Sequence, residues 1–127
     1  MSAAHMSVLY ALLSMLGLSL IFPGLAGVFR PNIGRTWLIA EKADAKNHLR
    51  GLNAMMTALG MVALWACWDL EGSRLLVLAL GVVMAALVVA RLYSWLIDGP
   101  PGSTSHTYLV IEALLAAVFL LWPPPGA

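Results

Sequence analysis

The chain has 127 residues, of which 61% are hydrophobic and 10% charged, with a formal net charge of +1. Soluble domains carry about 25% charged residues, so this chain has too little polar surface for a soluble fold, whereas a lipid bilayer can solvate it. The balanced charge, without a basic stripe or an acidic tail, argues against nucleic acid as a partner. The single cysteine, Cys67, excludes an internal disulfide and the cysteine pair of thiol-redox membrane enzymes.

Four apolar segments reach or approach the roughly 20 residues that a membrane-spanning helix needs. They cover residues 8–29, 50–68, 75–97 and 106–122. The first has no Lys or Arg before it and is too long for the apolar part of a signal peptide, so we expect it to be retained. The sequence therefore predicts an all-α fold, an antiparallel bundle of four transmembrane helices that forms a single membrane domain over residues 1–127.

Two features modify this simple pattern near the first connection. Pro23 and Gly24 predict a kink or an early end of the first helix, and in the second case part of Leu25–Phe29 would lie along the membrane interface. The following loop, Arg30–Asn47, carries nearly all of the loop charge. Within it, we expect Thr36–Lys46 to form a short amphipathic helix on the membrane surface.

The basic residues predict the orientation. The first loop and its edges contain Arg30, Arg35, Lys42, Lys46 and Arg50, whereas the opposite side contains Arg74 alone. Because cytoplasmic loops are enriched in Lys and Arg, we expect the first and third loops to be cytoplasmic. Both termini are then predicted to lie on the other side of the membrane.

Polar residues collect on one side of the predicted bundle, because consecutive helices run in opposite directions. Depth inside the helices follows from a rise of about 1.5 Å per residue. Arg91 lies about 9 Å inside the end of the third helix at Ile97, and Glu112 lies about 6 Å into the fourth helix, counted from Tyr108. The similar depths predict an Arg91–Glu112 pair, since charges inside a membrane usually pair or line a wet cavity. We expect this pair to lie near Arg50 and Asn53 in a pocket on the cytoplasmic side.

Helical spacing extends this polar cluster. Arg91, Trp95 and Asp98 share one face of the third helix, and Arg50 and Asn53 share one face of the second. The candidate ligand-pocket residues are Arg50, Asn53, Arg91, Trp95, Asp98 and Glu112. Two interpretations stay open. The cluster either fixes helix register and anchors helix ends, or it forms a ligand or proton site.

Motifs for defined chemistry are missing from the sequence. It contains no Ser/His/Asp or Cys/His arrangement and no helical metal-ligand spacing, so we assign no catalytic residue and expect no metal. His48 and His106 share a side, but neither is deep in a helix, which disfavours haem ligation. We expect no dedicated cofactor, although a bound lipid or quinone suits the predicted pocket.

Three short stretches carry a family resemblance. They are Asn47–Leu52 at the start of the second helix, Ala90-Arg91-Leu92 followed by Asp98-Gly99-Pro100, and Glu112 in the fourth helix. With this ordered set, the chain resembles a bacterial family of small four-helix membrane proteins known only as a domain of unknown function. Its architecture is also similar to the DoxX-like group. The resemblance implies this four-helix membrane fold and a recurring polar set, but it implies no reaction. We expect a multi-pass protein of the bacterial inner membrane, with both termini placed in the periplasm by the count of basic residues.

Two classes of function compete. The first is a non-enzymatic module that either binds a lipid, quinone or other amphiphile in the polar pocket or serves as an accessory subunit of a larger membrane complex. The expected assembly is such a complex or a homo-oligomer. The alternative is a small membrane enzyme or an oligomeric transporter. In the enzyme, Glu112 would serve as general acid or base, with Arg50 and Arg91 stabilising negative charge. Membrane lipids are expected partners in either case.

Overall fold

The structure is a computed structural model and describes residues 1–36 and 38–126. This part of the chain is mainly helical. Four long helices occur in this part, α1 Ala3–Phe29, α2 Ala43–Trp68, α3 Arg74–Asp98 and α4 Ser103–Leu121, with a 3₁₀ turn at Glu71–Ser73. Each long helix is sufficiently long and apolar to cross a membrane. The predicted all-α class and the four membrane-length helices are confirmed.

Three helices begin earlier than the apolar segments suggested. α1 starts at Ala3, α2 at Ala43 and α4 at Ser103, whereas the apolar segments themselves begin near residues 8, 50 and 106. The added turns contain polar residues, which an apolar window leaves out. A helix satisfies its own backbone hydrogen bonds irrespective of the polarity of its side chains, so it can continue beyond the apolar segment.

Pro23 does not end α1, which continues to Phe29. Of the two expected effects of Pro23, the early end, which would have moved part of Leu25–Phe29 out of the helix, is therefore wrong. Proline removes a helix hydrogen bond, but neighbouring helices compensate for this loss in membrane proteins. Here Gly24 and Gly27, on either side of Leu25 and Ala26, lie directly against α2, and this packing supports the helix beyond the proline.

The expected surface helix over Thr36–Lys46 is also wrong. Residues 38–41 are not helical, and the helix that starts at Ala43 is the beginning of α2. The side chain of Asn32 holds this part of the loop, because its Nδ2 donates to the Ala40 carbonyl at 2.7 Å and its Oδ1 accepts from the Ala40 N–H at 2.8 Å. Trp37, which belongs to the expected helix, lies outside the described residues.

The helices form two compact units, and the first contains Met1–Leu12 together with the chain from Asp69 onwards. In this unit α3 and α4 pack against each other in opposite directions. A Cβ on Gly81 would lie 2.8 Å from Leu120 Cδ2, so glycine permits a close approach of the two helices. The buried face of α4 follows helical spacing and comprises Glu112, Leu115, Ala116 and Phe119.

The second unit is Leu13–Trp68, in which most of α1 packs on α2. Glycines mediate this packing, as is common between membrane helices. A Cβ on Gly60 would lie 2.7 Å from the Gly17 carbonyl oxygen, and a Cβ on Gly24 would lie 2.9 Å from the Asn53 carbonyl oxygen. The backbones of the two helices are therefore almost in contact along the α1–α2 hairpin.

Candidate functional site

Arg91 and Glu112 form a two-pronged ion pair between α3 and α4. Arg91 Nε donates to Glu112 Oε2 at 2.6 Å, and Arg91 Nη2 donates to Glu112 Oε1 at 2.9 Å. This parallel geometry is the strongest that an arginine and a carboxylate can adopt. The Glu112 side chain is 12% exposed and that of Arg91 is 34% exposed. The predicted contact between the two residues is confirmed.

Helix geometry explains why the two charges meet. Glu112 lies on the buried face of α4, and Arg91 lies two turns beyond Met84, a buried residue of α3. The α3–α4 connection fixes the register of the hairpin. Gly99 ends α3 with a φ of 92°, a conformation that favours glycine, and its N–H donates to the Trp95 carbonyl at 3.1 Å. Pro100 and Pro101 follow and prevent α3 from continuing.

Aromatic rings surround the pair. The Arg91 guanidinium carbon lies 5.6 Å from the centre of the Tyr108 ring, within the range of a cation–π interaction. The Trp95 ring makes an edge contact with the His106 ring, with the ring centres 4.7 Å apart. These contacts restrict the rotamers of both helices around the ion pair, so the polar groups are held in defined positions.

A groove of about 360 Å³ runs beside the ion pair between α3, α4 and their connection. Aliphatic and proline side chains form most of its walls, with Arg91, two serines and the Trp95 ring as its polar members. The lining residues are Leu87, Ala90, Arg91, Ser94, Trp95, Pro101, Ser105 and Leu109. The groove thus combines an apolar channel with a small number of hydrogen-bonding groups, which is the usual composition of a small-molecule site.

Of the other candidates in this unit, Trp95 lines the groove with Arg91, as their shared helix face predicted. Asp98 is exposed at the end of α3. Its Oδ2 accepts a hydrogen bond from Ser94 Oγ at 2.8 Å. Asp98 therefore positions a serine that lines the groove and holds the last turn of α3 together.

Arg50 and Asn53 belong to the other unit, where both have local structural partners. Arg50 Nη1 donates to the carbonyl oxygens of Val28 and Phe29, at the end of α1. A cation in this position satisfies terminal carbonyls and complements the helix dipole. Asn53 is buried, packs against Gly27, and donates through Nδ2 to the Leu49 carbonyl at 2.8 Å. These contacts match the structural interpretation of the two residues.

The sequence interpretation missed a second polar arrangement, at the C-terminal end of α4. The His5 ring is buried, stacks on the Trp122 ring at 4.0 Å between centres, and donates through Nε2 to the Trp122 carbonyl at 2.7 Å. Arg74 Nη1 donates to the Pro124 carbonyl at 2.7 Å. The signal was the run Pro123–Pro125. A helix cannot continue through it, so the carbonyls of Trp122 before it and of Pro124 within it need donors from elsewhere.

The structure also shows how the side chains that can bind metal ions are arranged. Within residues 1–36 and 38–126, no group of three or more His, Cys, Asp or Glu side chains is arranged to hold a metal ion. The polar groups at the candidate site itself are the Arg91–Glu112 pair, two serine hydroxyls and the Trp95 ring.

A family described as a domain of unknown function, DUF4345, matches residues 8–123 of the chain. The matched range includes both Arg91 and Glu112 and all of the residues that line the groove. Neither the curated proteins nor the solved structures contain a match to the chain. The chain, with its four membrane-length helices, therefore belongs to the DUF4345 family.

Proposed function

We propose that the protein is an amphiphile-binding module of the membrane, in which the groove between α3 and α4 holds a lipid-like molecule. The observation that carries this proposal is the Arg91–Glu112 pair in the wall of an otherwise apolar groove. An ion pair at membrane depth is costly unless its members are well paired or serve a function. A groove beside such a pair offers both an apolar channel for a chain and hydrogen-bond donors for a head.

The dimensions and composition of the groove support this role. Small-molecule sites are typically clefts of about 300–1,000 Å³ with mainly apolar walls and few polar groups, and the groove has about 360 Å³. Leu87, Ala90 and Leu109 supply the apolar walls, and Arg91 and Ser94 supply hydrogen-bonding groups.

The geometry is less suited to acid–base catalysis by Glu112. Both carboxylate oxygens accept hydrogen bonds from Arg91 at 2.6 and 2.9 Å. This arrangement stabilises the ionised carboxylate and engages one lone pair on each of its oxygens, which makes it a weaker acceptor for a substrate proton. The binding role requires no such proton transfer, and for this reason we prefer it to the enzymatic one.

We also propose the location of the module, a bacterial inner membrane, where it serves as an accessory subunit of a larger complex or assembles with copies of itself. The concentration of basic residues in the loop Arg30–Asn47 favours a cytoplasmic position for that loop and a periplasmic one for both termini.

Cysteine labelling tests the orientation. In a Cys67→Ala background, Glu41→Cys and Pro125→Cys place single thiols at exposed positions of the first loop and of the C-terminal tail. We expect an impermeant thiol reagent added to intact inner-membrane spheroplasts to label position 125 but not position 41. Labelling of position 41 alone contradicts the proposed orientation.

Native mass spectrometry of the protein extracted in mild detergent tests the binding role. The key variant is Ala90→Phe, which fills the groove with a ring at a position that lines it. The control is Ala117→Phe, the same substitution at an exposed alanine of α4. We expect the wild type and the Ala117→Phe protein to retain a bound lipid-like molecule that the Ala90→Phe protein loses. Equal lipid retention by all three proteins contradicts the proposal.

A further inference from the structure

We propose that the groove selects an amphiphile whose head is electrically neutral and carries a carbonyl oxygen, in preference to an anionic lipid. This inference rests on the proposed function and specifies the ligand class of the same groove. Its basis is the way in which Glu112 engages Arg91, because this engagement determines both the net charge of the site and the hydrogen-bonding groups that remain for a ligand.

The first step concerns charge. An arginine in a membrane groove would ordinarily attract a phosphate or carboxylate head. Here Glu112 is bound to Arg91 through both carboxylate oxygens, so the pair has no net charge. A second anion would have to share the guanidinium with the Glu112 carboxylate, and like charges so close together repel strongly where the effective dielectric constant is low. The pair therefore disfavours an anionic head.

The second step concerns hydrogen bonds. A guanidinium carries five N–H donors, and Glu112 uses one donor on Nε and one on Nη2. The N–H groups of Nη1 are not used by Glu112, and the Arg91 side chain is 34% exposed beside the groove. An arginine has no acceptor, so its matching ligand group is an acceptor oxygen. A carbonyl oxygen meets this requirement without adding charge.

The third step concerns the rest of the ligand. Leu87, Ala90 and Leu109 form apolar walls that suit an acyl or alkyl chain, and Trp95 offers an aromatic surface next to Arg91. An ester carbonyl on a glycerol backbone and a ring carbonyl of a quinone both provide the required oxygen. The shared chemistry is therefore a neutral carbonyl head on an apolar chain.

A second hollow on the molecule has apolar walls like those of the groove but no ion pair. It lies on α2 and is lined by Met61, Leu64, Trp65 and Trp68. These side chains contain neither a cation nor a carboxylate. We expect this hollow to accept acyl chains irrespective of the charge on the head, so it serves as an internal reference for selectivity.

A competition experiment distinguishes the head groups. Purified protein in detergent is incubated with equal amounts of dioleoylglycerol and dioleoylphosphatidylglycerol, which have the same ester-linked chains and differ by the anionic phosphoglycerol group. Bound lipid is then quantified by native mass spectrometry for the wild type and the groove-filling Ala90→Phe variant. The lipid that binds the wild type but not Ala90→Phe is the Ala90-dependent fraction. We expect this fraction to favour dioleoylglycerol by about tenfold, a ratio that reflects a modest difference in binding free energy.

A separate arm identifies the source of the carbonyl. A short-chain quinone, decylbenzoquinone, is added to the protein loaded with dioleoylglycerol. Displacement of the diacylglycerol shows that a ring carbonyl satisfies the site, and retention restricts the site to ester carbonyls. Both results agree with the proposed ligand class, and they distinguish its two chemical sources.

Glu112→Gln provides the decisive variant, because it leaves the Arg91 cation without a counter-charge and changes few atoms. We expect this protein to reverse the preference and to bind phosphatidylglycerol. If the variant does not fold, the wild-type competition decides alone. Equal Ala90-dependent binding of the two lipids by the wild type, or a preference for phosphatidylglycerol, overturns the inference but leaves the proposed function intact. Failure of both lipids to bind in an Ala90-dependent way overturns the inference and the proposed function together.

Discussion

The α1–α2 hairpin and the α3–α4 hairpin both contain polar side chains within membrane-length helices, but they accommodate them differently. In α1–α2, Asn53 and Thr57 donate to carbonyls one turn earlier in their own helix and pack against Gly27 and Gly24. In α3–α4, Arg91 donates across the helix interface to Glu112. The first arrangement draws two backbones together, whereas the second holds a charged group at the edge of a groove.

The sequence pattern had placed Asn53 in one polar cluster with Arg91 and Glu112, whereas the structure gives these residues different kinds of partner. A polar side chain that bonds to its own backbone and faces a glycine contributes mainly to close packing. A charged side chain whose partner is on the next helix makes each helix depend on the other and leaves donors for a ligand. Polar residues in membrane helices are therefore best classified by the partner that satisfies them, and the following substitutions test that classification.

The largest expected effect follows from the removal of one member of the ion pair. Arg91→Leu or Glu112→Leu alone leaves an uncompensated charge at membrane depth, at a cost of about 2.5–3.5 kcal/mol. The double substitution removes both charges and should recover much of this loss, because the desolvation cost of the pair is also removed. Thermal unfolding in detergent measures the three proteins. Independent, additive effects contradict the coupling between the helices.

A glycine substitution tests the other hairpin. A Cβ on Gly60 would lie 2.7 Å from both the Gly17 carbonyl oxygen and Ile21 Cγ1, so Gly60→Ala should destabilise the protein by about 1–3 kcal/mol through overpacking. Gly51→Ala is the matched control on the same helix, since nothing lies within 4 Å of its Cβ. It should stabilise α2 by about 0.5–1 kcal/mol. Equal shifts in melting temperature for the two variants would show that α1 and α2 are not in close contact at Gly60.

A smaller effect is expected from Arg50, which we interpret as the cation that holds the end of α1. Arg50→Met removes its hydrogen bonds to the Val28 and Phe29 carbonyls and should cost about 0.3–1 kcal/mol. Hydrogen exchange should become faster at the end of α1, while the exchange of α3 and α4 is unchanged. Lys46→Met, a similar change at an exposed position of α2, serves as the control. An equal effect of both variants on α1 contradicts the assignment.

The smallest effect is expected at Cys67, whose Sγ lies 3.8 Å from Ser14 Oγ. A thiol at this distance from a hydroxyl makes at most a weak hydrogen bond. Cys67→Ala should therefore change the melting temperature and lipid retention very little. A loss of bound lipid in this variant, measured by native mass spectrometry, would reveal a thiol function in the α1–α2 hairpin.

Much of the helical architecture was predictable from the sequence, and so was the Arg91–Glu112 contact. Hydropathy identifies membrane-length helices, and connectivity with helical rise brings these two charges to a similar depth. Helix starts were less accurate because Ala43–Leu49 is polar yet helical. The course of α1 beyond Pro23 and the Asn32–Ala40 loop contacts depend on tertiary packing and side-chain hydrogen bonds, which an apolar pattern does not encode.

The candidate site was predictable in part for the same reason. Arg91 and Trp95 share a helix face, and the groove confirms that they are neighbours. The roles of Arg50 and Asn53 depend on the α1 carbonyls and on Gly27, partners whose positions follow from the α1–α2 packing rather than from local spacing. The His5–Trp122 contact links residues from opposite ends of the chain, and no sequence period connects them.

Photo-crosslinking of a lipid to the protein tests the central claim most directly, namely that the groove beside Arg91 and Glu112 binds an amphiphile. A diacylglycerol with a diazirine in one acyl chain is activated in detergent, and the modified residues are located by peptide mass spectrometry. We predict that modification concentrates in the groove-lining part of the sequence between Leu87 and Leu109 and disappears in Ala90→Phe but not in Ala117→Phe. Modification of the groove that is unaffected by Ala90→Phe would contradict the proposed function.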